Sequence, residues 1–278
     1  MTTTSETRPP GERAPAGRPT TVSVVIPCRD DAVLLRRCLE SLAAQTSPPD
    51  EIVVVDNASS DDTAAVARAA GARVVVEPVP GVSAASAAGY DSATGDVVAR
   101  LDADCEAPVD WIARVRERFD LDPGLVALTG GARFTDGPVL LRRVGAALYL
   151  GAYVVAVSLA LGHVPLFGSN CAFRRDDWLR VRGEVHRDDA LMHDDIDLSF
   201  HLGPEARIRY DHRLGMRVSA RPFRTGDFSV RVRRGFHSVY AHWPEEHPRR
   251  RVARRLRAVV RRRLGTSGVA DRRGVQLR

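Results

Sequence analysis

The chain predicts a mixed α/β sandwich built on a mainly parallel sheet, and three observations carry that expectation. Short β-branched runs alternate with helical patterns from residue 22 to residue 129. Acidic residues stand directly after two of those runs, where an open α/β sheet places its ligand site. The 278 residues are 44% hydrophobic and 27% charged, an ordinary globular balance that excludes collagen-like, low-complexity and wholly disordered chains. A chain of this length buries enough surface to fold without disulfide staples.

Each element follows from its local pattern. Val22–Ile26 is a continuous apolar run and reads as a buried strand. Ala32–Gln45 places Leu34, Leu35, Cys38, Leu39 and Leu42 on one helical face. Ile52–Val55 is a second strand. Ser60 is expected to cap a helix that runs to Gly71, a natural residue just past a helix end. Arg73–Val76 reads as a strand, Ser83–Ala93 as a helix of small residues and Val97–Leu101 as a strand. Val109–Phe119 follows as a helix and Val126–Thr129 as a strand. Trp111 and Trp178 are expected in the core, and no internal repeat is present.

Charge divides the chain. All 41 basic side chains are Arg, against 35 acids, for a net charge of +6. From Arg221 onward 17 Arg face four acids, which leaves residues 1–220 with 24 Arg against 31 acids. The absence of Lys excludes a Walker-type phosphate loop and lysine Schiff-base chemistry. No G-x-G-x-x-G follows the first strand, which removes a dinucleotide oxidoreductase. Cys28, Cys38, Cys105 and Cys171 are scattered, with no C-x-x-C pair, so neither a cysteine zinc framework nor a disulfide scaffold is expected, and a cytoplasmic location is. Residues 1–20, rich in Thr, Pro, Gly and Arg, read as a disordered leader without the apolar stretch of a signal peptide.

The carboxylates carry the chemistry. Asp56 follows the strand Ile52–Val55, and Asp102-Ala103-Asp104 follows Val97–Leu101, with Glu106 two residues on. Clustered hard oxygen ligands suit Mg²⁺ or Mn²⁺ bridging phosphate oxygens. An acidic turn that caps a helix uses the same letters, and on these residues alone both readings stand.

Five segments then occur in a telling order: Val22-Ser-Val-Val-Ile-Pro-Cys-Arg-Asp30, Glu51-Ile-Val-Val-Val-Asp-Asn-Ala-Ser-Ser-Asp61, Gly95-Asp-Val-Val-Ala-Arg-Leu-Asp-Ala-Asp104, Gly168-Ser-Asn-Cys-Ala-Phe-Arg-Arg175 and His193-Asp-Asp-Ile-Asp-Leu-Ser199. Together they resemble a family 2 glycosyltransferase with the GT-A fold, a Rossmann-like nucleotide-diphospho-sugar transferase. The resemblance spans about residues 20–220, so that residues 21–220 form the transferase domain and residues 221–278 a basic helical extension. It implies an inverting transfer from a nucleotide-sugar donor, helped by Mn²⁺ or Mg²⁺. By the same resemblance Pro27 and Arg29 line the nucleobase, Asp56 hydrogen-bonds it, and Asp102 lies near ribose and metal. Asp104 is the metal-ligating acid of the D-x-D motif, with Glu106 an additional ligand in some relatives. Asp195 is the general base, with Asp194 where Glu is usual. The sequence departs from the family pattern at Ser86-Ala87, where Arg-Asn is common, and at Cys28, where an aromatic residue is frequent. The lost Arg-Asn pair keeps a catalytically silent nucleotide-sugar-binding scaffold as the rival expectation.

Two features remain. Val144–Leu161 is nearly continuous apolar sequence, long enough at about 27 Å to cross a bilayer as a helix. A single crossing would separate Asp104 from Asp195, so a buried helix is expected first and an interfacial one second. In the tail, Val252, Leu256, Val259, Val260 and Leu264 share one face of an Arg-rich helix, for which an anionic membrane surface is expected first, a solvated helix second and nucleic acid third. Gly168-Ser169-Asn170 reads as an acceptor-side loop, and His193 and His201 read as ordinary surface or core residues, with His212 the outside candidate for a contact. Lipid-linked, cell-wall glycan and small-molecule acceptors all fit the sequence.

Overall fold

The computed structural model describes residues 18–135, 146–219 and 228–270. The expected leader falls mostly outside them, as do residues 221–227 and 271–278 of the basic extension. Its first half is a strand–helix alternation: β1 (Val22–Cys28), α1 (Ala32–Ala43), β2 (Glu51–Asp56), α2 (Thr63–Ala69), β3 (Arg73–Val76), α3 (Val82–Ser92) and β4 (Val97–Arg100). Then come β5 (Cys105–Glu106), α4 (Trp111–Leu121), β6 (Ala127–Thr129), β7 (Ala132–Phe134), α5 (Ala146–Leu161), β8 (Cys171–Arg174) and α6 (Arg175–Val181). The last elements are α7 (Asp194–Leu202), β9 (Ile208–Tyr210), β10 (Met216–Val218), α8 (Phe228–Tyr240) and α9 (Pro248–Ala270).

The main sheet has the order β3-β2-β1-β4-β8-β6-β9, and a small sheet has the order β5-β10-β7. β1 pairs in parallel with both β2 and β4, while β8 runs antiparallel between β4 and β6. The chain therefore winds outward from β1 to β3 and returns to the other side of β1 at β4. That reversal is a topological switch point, where an open α/β sheet has its binding crevice at the carboxyl ends of the strands.

Alternation along β1 explains why its run is apolar throughout. Val22, Val24 and Ile26 face one layer, with Leu35, Cys38 and Leu39 of α1 and Trp111, Ile112 and Val115 of α4. Val25 faces the other, with Ala85 of α3, Trp178 of α6 and Leu198 of α7. Both sheet faces are covered, as a parallel sheet requires. Both tryptophans lie in these cores, as expected.

Three local expectations change. Ser60 does not cap α2; its N–H and hydroxyl both donate to Asp30, and Asp61 accepts the Thr63 N–H instead. Gly71 does end that helix, with φ of 78°, in the left-handed region that glycine adopts without strain. α1 stops at Ala43, short of Gln45, whose side chain ties this end to α4: its Oε1 accepts the Ile112 N–H in the first turn of that helix. Over its described side chains, within residues 151–161, the apolar segment is one-sided rather than buried. Val157, Ala160 and Leu161 pack on Ile196 and Phe200 of α7, while Val155 and Leu159 are 62% and 69% exposed. No helix among the described residues is long and apolar enough to cross a membrane.

The Arg-rich α9 is docked by one of its own arginines. Arg251 is fully buried: Nε donates to the Leu161 carbonyl at 2.7 Å, Nη1 to the Phe200 carbonyl and to Glu246, and the guanidinium lies over the Phe200 ring. Its Nη2 meets His163 Nε2 at 3.3 Å, and His163 Nδ1 donates to the Val164 carbonyl. Burial, aided by Arg251, lowers the His163 pKa to about 4. A depressed folded-state value stabilises the protein above the ordinary imidazole range and is lost as pH falls toward 4. Urea midpoints measured from pH 7 to pH 4 should fall by an amount equivalent to about 2–3 kcal/mol. In His163→Gln, which cannot take up a proton, that acid-side fall should be correspondingly shallower.

Candidate active site

Two strands and one loop assemble the site. β4 ends at Arg100, and the chain leaves the sheet at Leu101, delivering Asp102 and Asp104 to the carboxyl edge beside β1. Ligand atoms of Asp102, Asp104 and Cys105 lie within 4.8 Å of one another. Burial and the two neighbouring carboxylates push the Cys105 thiol well above its ordinary range, so it stays protonated and the usable donors are the carboxylates. Glu106 is not brought to this cluster. It belongs to β5, pairs with Arg217 across to β10, and its carboxylate lies 3.4 Å from the Arg217 guanidinium.

Arg100 is the buried cation of the site. Its Nη2 lies 2.8 Å from Asp102 Oδ1 and 3.5 Å from Asp194 Oδ2, at the first residue of α7. Burial pushes the Asp194 carboxyl above the usual carboxylate range against the pull of Arg100, and the like charge of Asp195 adds to the rise. Ser86 of α3, the position of the family departure, is fully buried and lines a small internal gap with Tyr90 and Asp194. The cation next to these acids thus comes from β4, not from α3.

The loop Gly168-Ser169-Asn170 joins the two acidic segments. The Gly168 N–H donates to Asp195 Oδ2 at 2.9 Å, and the Ser169 hydroxyl donates to Asp102 Oδ2 at 2.5 Å. The Ile196 N–H holds the other Asp195 oxygen at 2.8 Å, which fixes the plane of that carboxylate. A Cβ at position 168 would overlap the Arg100 guanidinium, so only glycine admits this approach. Asn170 anchors the loop: Oδ1 accepts the Trp111 indole N–H, and Nδ2 donates to the Gly131 and Leu214 carbonyls. Adjacent residues of one loop thus hold Asp195 and Asp102, although these acids are 93 positions apart in sequence.

An open cleft of about 300 Å³ lies at the same sheet edge, lined by Pro27, Cys28, Arg29, Asn57 and Gly81 with two residues of α3. Pro27 and Arg29 are where a nucleobase site was expected. Asp56 ends β2 beside Cys28, and its Oδ1 accepts the Ser59 N–H; the neighbouring Asn57, not Asp56, lines the cleft. Asn57 itself bonds the Glu77 and Val79 carbonyls and the Gly81 N–H, which holds that wall in place.

A model of glycosyl transferase family 2 matches residues 23–181, more than half of the chain. The chain belongs to this family. Among solved structures, glucosyl-3-phosphoglycerate synthase from Mycobacterium tuberculosis in complex with Mg²⁺ and uridine diphosphate is similar at 23% identity, with TM-score 0.58 over 80% of this chain and 79% of that one. A mannosyltransferase from Pyrobaculum calidifontis in complex with GDP-Man and Mn²⁺ is similar at 23% identity, with TM-score 0.63 over 84% of this chain and 67% of that one. No curated protein sequence matches this glycosyltransferase. The structural likenesses establish the GT-A fold that the five segments implied.

Sequence reasoning passed over Arg100 and treated Ser169 only as part of a loop. Both lie inside quoted motifs, but the pattern does not say which way an Arg at the end of a buried strand points. Arg100→Met leaves Asp194 buried without its cation, and stability should fall by roughly 3–5 kcal/mol in urea denaturation. Adding Asp194→Asn should recover part of that loss, because the stranded charge is then gone.

Proposed function

We propose that this family 2 glycosyltransferase moves a sugar from a nucleotide-diphosphate donor to an acceptor hydroxyl with inversion at the anomeric carbon. The observation that supports this best is the pair of bonds by which one loop, through Gly168 and Ser169, holds both Asp195 and Asp102. The cleft edge at Pro27 and Arg29 receives the nucleobase, with Asp56 beneath it at the end of β2. Asp102 and Asp104 offer the hard oxygen donors that Mn²⁺ or Mg²⁺ takes, and both neighbours cited above are bound to one of these ions. When bound there, the ion offsets charge that builds on the departing nucleotide diphosphate. Asp195, oriented by two backbone N–H groups, takes the proton of the acceptor hydroxyl as it attacks. Attack from the face opposite the leaving group needs no covalent enzyme intermediate.

Release of nucleotide diphosphate from a panel of nucleotide sugars with Mn²⁺ tests this reading. Asp195→Asn should lower turnover by about 10²–10⁴-fold, and Asp104→Ala should lower it comparably while weakening the dependence on Mn²⁺. Turnover untouched by either change would overturn the mechanism, and donor binding with no turnover in the unaltered protein would favour a silent scaffold.

We further infer that this transferase works at the cytoplasmic face of an anionic membrane, where a lipid-linked or cell-wall glycan acceptor would be met. On α9 Val252, Leu256, Val260 and Leu264 recur every four residues and are 42% to 67% exposed, flanked by exposed Arg249, Arg250, Arg254, Arg257 and Arg261. Val232, Phe236 and Tyr240 of α8 repeat the pattern. Apolar ridges bordered by guanidinium groups suit an anionic interface. The protein should sediment with phosphatidylglycerol vesicles and be released by salt, and Leu256→Glu should bind several-fold less. Equal pelleting of the two proteins would remove the membrane from this account.

A further inference from the structure

Further along α7 from the acidic first turn, a second set of ligand-type side chains converges. His186 in the loop after α6, Asp197 and His201 one helical turn apart on α7, and His242 just beyond α8 bring ligand atoms within 4.8 Å of one another. Three ring nitrogens close on a single oxygen, Asp197 Oδ1: His186 Nδ1 at 2.8 Å, His242 Nε2 at 3.0 Å and His201 Nε2 at 3.2 Å. Asp197 and His242 are almost fully buried, and His186 forms the solvent edge at 40% side-chain exposure.

Protons alone satisfy this arrangement poorly. His242 Nδ1 lies 2.7 Å from the Ser238 carbonyl, which can only accept, so that nitrogen carries the proton. A neutral His242 then turns the lone pair of Nε2 toward a carboxylate oxygen, acceptor against acceptor. His201 Nε2 is buried and makes no hydrogen bond despite its approach to Oδ1. Charging His242 alone would let its Nε2 donate to Asp197 but leaves the buried His201 Nε2 without a hydrogen bond, and charging more than one ring would crowd imidazolium groups whose centroids are 5.2–5.7 Å apart.

We propose that His186, Asp197, His201 and His242 form a structural zinc site. Three neutral imidazoles and one carboxylate are a complete tetrahedral donor set for Zn²⁺, with no position left for water. Bonds of about 2.0–2.1 Å place neighbouring ligand atoms roughly 3.3 Å apart, so the three 2.8–3.2 Å approaches to Asp197 Oδ1 need to open by only a few tenths of an ångström, within a set whose atoms all lie inside 4.8 Å. Nitrogen-rich donors select zinc over the Mg²⁺ or Mn²⁺ suited to Asp102 and Asp104. The outer partners are also in place: the Ser238 carbonyl on His242, Glu184 at 3.5 Å from His201 Nδ1, and the His186 N–H on Asp197 Oδ2 at 2.8 Å. Zinc here would tie α7 to α8 and to the loop after α6, fixing the helix whose first turn carries Asp194 and Asp195. The site is independent of the donor-site reading.

The full-length protein, loaded with Zn²⁺ and desalted, should retain one zinc per chain by elemental mass spectrometry. An Asp102→Asn, Asp104→Asn double variant should retain it equally. Competition against a chromophoric chelator should show zinc affinity lowered roughly tenfold or more in Asp197→Asn and in His186→Ala. The latter alters the exposed edge and should keep its circular dichroism. Cobalt in place of zinc should give the intense visible absorption of a tetrahedral site, lost in the same two variants. No retained zinc in the wild type, unchanged affinity in folded His186→Ala, or zinc that leaves with the Asp102 and Asp104 substitutions would each overturn the proposal.

Discussion

A guanidinium sits between two carboxylates at the end of the central parallel strand, and the geometry of the transferase site depends on it. Arg100 closes β4, is nearly inaccessible, and reaches Asp102 on one side and Asp194 on the other. Without a cation at that point, carboxylates from two distant segments would meet in a poorly solvated space and repel. With it, the end of the sheet and the first turn of α7 are drawn to one locus. An always-charged planar group is suited to that position in a way that an ammonium group is not.

The loop at residues 168–170 converts this attraction into orientation. Charge brings the segments near each other, but backbone and hydroxyl donors decide where each carboxylate oxygen points. The loop can enter only because Gly168 has no side chain, and it stays in register because Asn170 is bonded to Trp111 and to two carbonyls of neighbouring turns. The result is a rigid site held by packed elements on each side, with the reversal of strand order at β1 and β4 supplying the crevice.

The Arg-rich C-terminal helices have two separate characters. One arginine, Arg251, is a core residue in all but chemistry, saturating carbonyls at the ends of α5 and α7. Arg255 does the same for the Pro204 and Ala206 carbonyls. The remaining described face of α9 turns outward with both its apolar ridge and its flanking charges. α9 is therefore docked through polar groups and displays apolar ones, the reverse of an ordinary amphipathic helix. That inversion is why its apolar face was visible in the sequence while its direction was not.

The sequence by itself determined the layered α/β class, the first four strands with three of the helices between them, and the acidic edge at Asp102 and Asp104. Those features are local: periodicity of two or 3.6, turn residues, and the spacing of short motifs. Tertiary structure decided what depends on direction and on distant partners. Strands β7, β9 and β10 have three residues each and exist because the neighbouring strand offers a ladder. Glu106 turned to Arg217 because β5 pairs with β10, and Ser60 gave its donors to Asp30 because two loops meet there. The histidines at 186, 201 and 242 carry no spacing motif, and only the packing of α7 against α8 and the preceding loop brings them around Asp197. A chain sequence records which groups are available, and long-range packing determines which of them share a volume of a few ångströms.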